Sequence, residues 1–133
     1  MIDLQKLELK LLKYNRKLAK EFDGSKETPA TSIGGIYSNS KHIDHSKRLE
    51  DPIAKKLITR LLRLGKIGDK STLCNNTIGS CCEVHVANML ILKHSSPMNL
   101  EIDRIKFTRA RRPRTNQYID RCPNCVHVFG KEK

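Results

Sequence analysis

Apolar residues recur at steps of three and four from residue 2 to residue 22: Leu4, Leu7, Leu11, Tyr14, Leu18 and Phe22, with Lys and Glu between them. That period predicts an amphipathic packing helix, stopped at Asp23-Gly24, with a coiled-coil partner helix as the alternative. Residues 25 to 50 are polar and irregular apart from Ala30-Thr31-Ser32-Ile33-Gly34-Gly35-Ile36-Tyr37, which reads as two short strand segments meeting at a Gly34-Gly35 turn. Asp51-Pro52 reads as a helix start, with Asp as N-cap and Pro in the first position. That helix runs through Ile53, Ala54, Leu57, Ile58, Leu61 and Leu62 to Gly65. From Cys81 to about Lys93 the chain is apolar nearly all round, the mark of a central, buried helix. Leu100 to Phe107 alternates apolar with polar and predicts a half-exposed strand, followed by a basic loop and a short helix beginning near Cys122. Alternating strands and helices predict an α/β sandwich. The expected organisation is a single domain over 1–133, with an N-terminal helix in 1–24 and the core in 30–130.

Charge changes this picture by pointing to a partner. The formal net charge is +12, which favours an anionic partner such as nucleic acid, a nucleotide or an acidic protein over a merely solvated basic surface. No segment approaches the roughly 20 apolar residues of a membrane span, and the first residues lack the order of a signal peptide. The expectation is a soluble protein without membrane contact. The five cysteines are odd in number and clustered, which favours metal ligation in a reducing, cytoplasmic setting over a disulfide scaffold. The detached end of a longer secreted protein is compatible with the same features.

Most of the chemistry lies in Gly79-Ser80-Cys81-Cys82-Glu83-Val84-His85 and Arg121-Cys122-Pro123-Asn124-Cys125. A Cys-x-Glu opening one helix and a Cys-x-x-Cys opening another is the arrangement a zinc-dependent nucleobase deaminase needs. Cys81, Cys122 and Cys125 would hold Zn²⁺, water would take the fourth position, and Glu83 would shuttle protons while cytosine becomes uracil. With Ser80 as N-cap, Cys81 and Cys122 fall near helix N-termini, where thiolates are stabilised. Each piece alone has a plainer reading. Ser80-x-x-Glu83 is also a capping box, and Cys122-x-x-Cys125 is also half a zinc ribbon or a redox pair. Their order and spacing together favour the catalytic site.

Other candidates are weighed residue by residue. Cys82 reads as a small buried hydrophobe and Cys74 as a core or surface thiol. His85 lies one turn after Cys81 and could approach the metal or substrate, or be a core histidine bonded to a backbone carbonyl. His127 could complete a four-ligand structural site, and His42-Ile43-Asp44-His45 reads as a solvated loop. Asn75 and Asn76 precede the catalytic helix and could touch a ribose. The segment from Arg104 to Arg114 is rich in Arg and has no acidic residue. Arg109, Arg111, Arg112 and Arg114 could neutralise phosphates while Phe107 and Tyr118 stack bases; a solvated loop is the alternative.

At these residues the chain resembles the cytidine deaminase superfamily, and within it the YwqJ-like deaminase domains of bacterial polymorphic toxins. Those domains read Cys-Ala-Glu-Val-His where this chain has Cys81-Cys82-Glu83-Val84-His85. The resemblance covers roughly residues 30 to 130, with weaker support from Ser32-Ile33-Gly34-Gly35-Ile36-Tyr37-Ser38. It implies a three-layer sandwich of a mixed sheet flanked by helices, a Cys81/Cys122/Cys125 zinc site and Glu83 as proton shuttle. It also implies delivery into a target cell as a toxin effector and a dedicated immunity protein. Two departures stand out. Cys82 replaces a small residue, and Arg121 stands where the superfamily has Pro, with Pro123 after the first cysteine. Only residues 126 to 133 follow Cys125, so the expected fold is shortened at its C-terminus. The functional expectation is deamination of cytosine in a polynucleotide, DNA favoured. Its rival is a non-catalytic, zinc-stabilised nucleic-acid-binding module.

Overall fold

The computed structural model describes residues 3–23 and 25–130; Ile2 and Gly24, at the two ends of the expected first helix, lie outside them. Helix α1 (Leu4–Glu21) begins at Asp3, whose side chain accepts from the Gln5 amide, and buries Leu7, Leu11, Asn15 and Leu18. It is a packing helix. Asn15 is held inside by Ser32, whose hydroxyl donates to Asn15 Oδ1, while Asn15 Nδ2 donates to Asn116 Oδ1 at 2.7 Å.

Strands β1 (Ser32–Tyr37) and β2 (Ser40–His45) form an antiparallel hairpin with Tyr37 opposite Ser40. The expected Gly34-Gly35 turn is therefore wrong. β1 runs straight through both glycines, and the chain reverses at Ser38, which has a positive φ of 53°. The glycines serve packing instead. A Cβ on Gly34 would lie 2.8 Å from Leu7 of α1, and one on Gly35 would lie 2.5 Å from Val86 of the central helix. Adjacent strand residues face opposite sides, so helices lie against both faces of the sheet.

Helix α2 (Lys55–Leu62) starts later than expected, with Ala54 rather than Asp51 at its N-cap. Asn88 explains the delay. Its Oδ1 accepts from the Ala54 amide at 2.8 Å and its Nδ2 donates to the Pro52 carbonyl at 3.0 Å, holding that stretch extended. Helix α3 (Cys82–Lys93) is central, as its composition predicts, and nearly all of its first ten residues are buried. A 3₁₀ turn, Pro97–Asn99, follows, and a second, Ile102–Arg104, lies where a strand was expected from Leu100. Leu100, Ile102 and Ile105 are all buried while Arg104 is exposed, so the alternation that begins at Leu100 gives way to a step of three across the 3₁₀ turn. Only β3 (Lys106–Phe107) is extended there, and it pairs with β1. β4 (Ala110–Arg111) and β5 (Tyr118–Ile119) complete the sheet, in the order β2-β1-β4-β5. Every described pairing is antiparallel, so the implied mixed sheet is corrected to an antiparallel one. Helix α4 (Pro123–Phe129), with Cys122 as its N-cap, is the last element among the described residues. Among the described residues, no helix is long and apolar enough to cross a membrane.

Candidate metal centre

The N-terminal ends of α3 and α4 meet. Cys81 is the N-cap of α3, and Cys122 is the N-cap of α4 with Cys125 in its first turn. Cys81 Sγ lies 3.2 Å from Cys122 Sγ, although 41 residues separate them in sequence. All three sulfurs of Cys81, Cys122 and Cys125 lie within 4.8 Å of one another. Tetrahedral zinc–thiolate bonds of about 2.3 Å place sulfurs about 3.8 Å apart, so this donor set fits a zinc-sized ion with adjustments of a fraction of an ångström to about an ångström. Sulfur–sulfur hydrogen bonds pull the Cys122 thiol well below its usual range, and they push Cys81 and Cys125 up. The first charge in the cluster is thus shared and further charges are opposed. A divalent cation removes that opposition.

Glu83 lies in the first turn of α3, 4% exposed, and lines a 380 Å³ cavity with Cys81 and Cys122. It does not join the sulfur group. Burial pushes its carboxyl up, against the opposing pull of the Cys82 thiol, its own backbone amide and Arg121. Cys82 Sγ donates to Glu83 Oε1 at 3.1 Å, and Arg121 Nε pairs with Glu83 Oε2 at 3.5 Å. The capping box weighed as the plainer reading does not form: the Ser80 hydroxyl turns to the Thr77 carbonyl, and both Glu83 oxygens face Cys82 and Arg121 rather than the Ser80 amide. Asn76, Ser80 and the segment Ser46-Lys47-Arg48 also line this cavity, with Thr31 and Asp120. Asn76 is brought there by α4: Asn124 Nδ2 donates to its carbonyl at 3.2 Å.

The remaining candidates divide differently. His85 is a core histidine that does not line the cavity. Its Nε2 donates to the Lys47 carbonyl at 2.7 Å and so ties the cavity wall to α3. Phe107 faces a separate 760 Å³ cavity, where it meets Phe129 edge-on at 5.2 Å. The guanidinium carbons of Arg109 and Arg111 both lie 4.0 Å from the Tyr118 ring centroid, so arginines already cover this ring. Arg111 is further occupied by Glu8 at 2.8 Å. Arg112 and Arg114 are exposed but outside the cavity. His127 is exposed and stands apart from the sulfur cluster, and Cys74 is half-buried and likewise apart. The His42–His45 segment is strand β2 rather than a solvated loop, with Asp44 buried. Sequence reasoning missed Arg121 and the Lys47-Arg48 wall. Only the placement of Arg121 beside Cys122 signalled the first, and nothing signalled the second.

Searches of known protein families, curated proteins and solved structures find no match to the chain.

Proposed function

We propose that this chain is a zinc-dependent hydrolase that converts cytosine to uracil, releasing ammonia, with a polynucleotide, and DNA before RNA, as its substrate. One observation supports the reading above the others: a buried carboxylate shares a cavity with two thiols of a three-thiol cluster, without belonging to that cluster. A zinc ion held by Cys81, Cys122 and Cys125 would supply the activation of water near neutral pH. Glu83 would take a proton from that water, pass it to ring N3 and assist departure of the amine. Its raised affinity for protons, a consequence of burial, suits a group that must both accept and return one near neutrality. Asn76, Lys47 and Arg48 would face the sugar and phosphate beside the base. A role as the effector part of a bacterial toxin, countered by an immunity protein, belongs to the same proposal and rests on the resemblance described above.

A second reading is a zinc-stabilised nucleic-acid-binding module without turnover. It is favoured by the way the sulfurs join α3 to α4 across the chain, as a structural ion would. One assay separates the two readings. Zinc-loaded protein is incubated with single- and double-stranded DNA, RNA and free cytidine nucleotides, and the products are sequenced or chromatographed for uracil. Uracil from the wild type, lost in Glu83→Ala with zinc and fold retained, is the result the deaminase reading requires. No uracil from any substrate, with DNA bound, favours the module.

A further inference from the structure

We infer that Arg121 and Cys82 are positioning residues for Glu83, holding its carboxylate from two sides so that it keeps one orientation toward the cysteine cavity. The catalytic consequence rests on the deaminase reading; the hold itself stands on geometry. The helix fixes the Glu83 backbone, but its side chain has three rotatable bonds and would otherwise sample several rotamers. Each carboxylate oxygen has its own partner, Cys82 Sγ at 3.1 Å on Oε1 and Arg121 Nε at 3.5 Å on Oε2. The pair is enclosed, with the two side chains 8% and 5% exposed. In such surroundings an ion pair is screened little and removal of one member is felt strongly.

Arg121 is itself fixed. Its Nη1 donates to the Gly130 carbonyl at 2.8 Å, and its guanidinium carbon sits 5.3 Å from the Phe107 ring centroid. It lines the Phe107–Phe129 cavity and not the cysteine cavity, so it reaches Glu83 from behind and leaves the substrate side open. Because Arg121 directly precedes Cys122, the strand-to-α4 connection that delivers a sulfur also delivers the guanidinium. Docking of α4 therefore assembles the cluster and aligns the carboxylate together.

The test is a double-mutant cycle in the full chain. Arg121→Met and Cys82→Ala are made with Glu83 and with Glu83→Gln, then compared by thermal melting, zinc content and steady-state kinetics on the cytosine substrate. Arg121→Met is expected to lower Tm by several degrees beside Glu83 and by much less beside Glu83→Gln. With zinc retained, kcat is expected to fall on the order of 10²-fold with KM nearly unchanged, as misplacement of a proton shuttle demands. Arg121→Lys and Cys82→Ser are expected to restore part of each loss. Should Arg121→Met fail to fold, Arg121→Lys and Cys82→Ala carry the same cycle. Equal Tm losses in both Glu83 backgrounds, or an unchanged kcat beside an active wild type, would overturn the inference. A wild type that deaminates nothing would fail the deaminase reading, while the melting cycle still decides whether the hold exists.

Discussion

A carboxylate buried among cations titrates unlike one in water, and Asp44 is such a carboxylate. Burial alone would raise it, but hydrogen bonds from His42, Lys47 and the His45 amide outweigh burial and hold it far below the usual carboxylate range. Lys47 Nζ lies 3.0 Å from Oδ1, and His45 Nδ1, which meets the Tyr14 hydroxyl at 2.6 Å, lies 3.6 Å from the same oxygen. Since the folded state binds this proton more weakly than the unfolded chain, Asp44 stabilises the fold above the unfolded value of about 3.9. The contribution fades as pH falls from there toward the lower, folded value. Asp44→Asn is expected to lower stability by about 1–3 kcal/mol at pH 7. Urea unfolding of both proteins should show the gap narrowing steadily below pH 4; a gap independent of pH would contradict this account. The tetrapeptide carries no apolar alternation, which hid its strand, and burial of an aspartate depends on neighbours that a linear reading cannot place. At Cys82 and Arg121 the sequence was more telling. The two departures from the deaminase pattern are the two residues that touch the Glu83 carboxylate.

Elements with a long apolar period were legible and short ones were not. Periodicity over Leu4 to Leu18 and the apolar run of α3 located both helices, because each buries a wide face. Strands of two residues, such as β3, β4 and β5, hold too few positions for any period to register. The paired glycines of β1 are ambiguous in principle, since a missing Cβ serves a turn or a close helix equally well. Here they set the spacing of the layers. A Cβ on Gly35 would meet Cγ1 of Val86 at 2.5 Å, a branched side chain with little rotamer freedom in a helix. At Gly34 it would meet the more adaptable Leu7 at 2.8 Å. Gly35→Ala is therefore expected to destabilise by about 1–3 kcal/mol or more, and Gly34→Ala by less. Because α3 carries Cys81 at its cap, Gly35→Ala should also weaken zinc retention. Chemical denaturation ranks the two variants, and the reverse order would show that the α1 interface is the tighter one.

On the scale of the whole molecule, the sulfur cluster is a clasp. Its members were legible from spacing alone, Cys-x-Glu and Cys-x-x-Cys, because one helical turn sets which cysteines can share an ion. Their meeting was legible only as an expectation, since it depends on the sheet that returns the chain from α3 to α4. The cluster joins the central helix to the last one, so an ion bound there stabilises the arrangement that contains both and adds nothing to a chain that lacks it. The gain follows mass action: about 2.7 kcal/mol when free ion stands at 100 times its dissociation constant. For a domain of this size that corresponds to roughly 10 °C in Tm. Zinc-loaded protein is expected to melt above protein treated with a chelator by about that margin. The margin should vanish in Cys122→Ser and persist in Cys74→Ser, whose thiol lies outside the cluster. It should also shrink in acid, because protons compete for the three sulfurs that the ion requires as thiolates. Melting curves at pH 7.5 and pH 5.5, with and without chelator, decide the matter: equal melting temperatures for the loaded and chelated wild type at pH 7.5 would mean that the three sulfurs hold no ion.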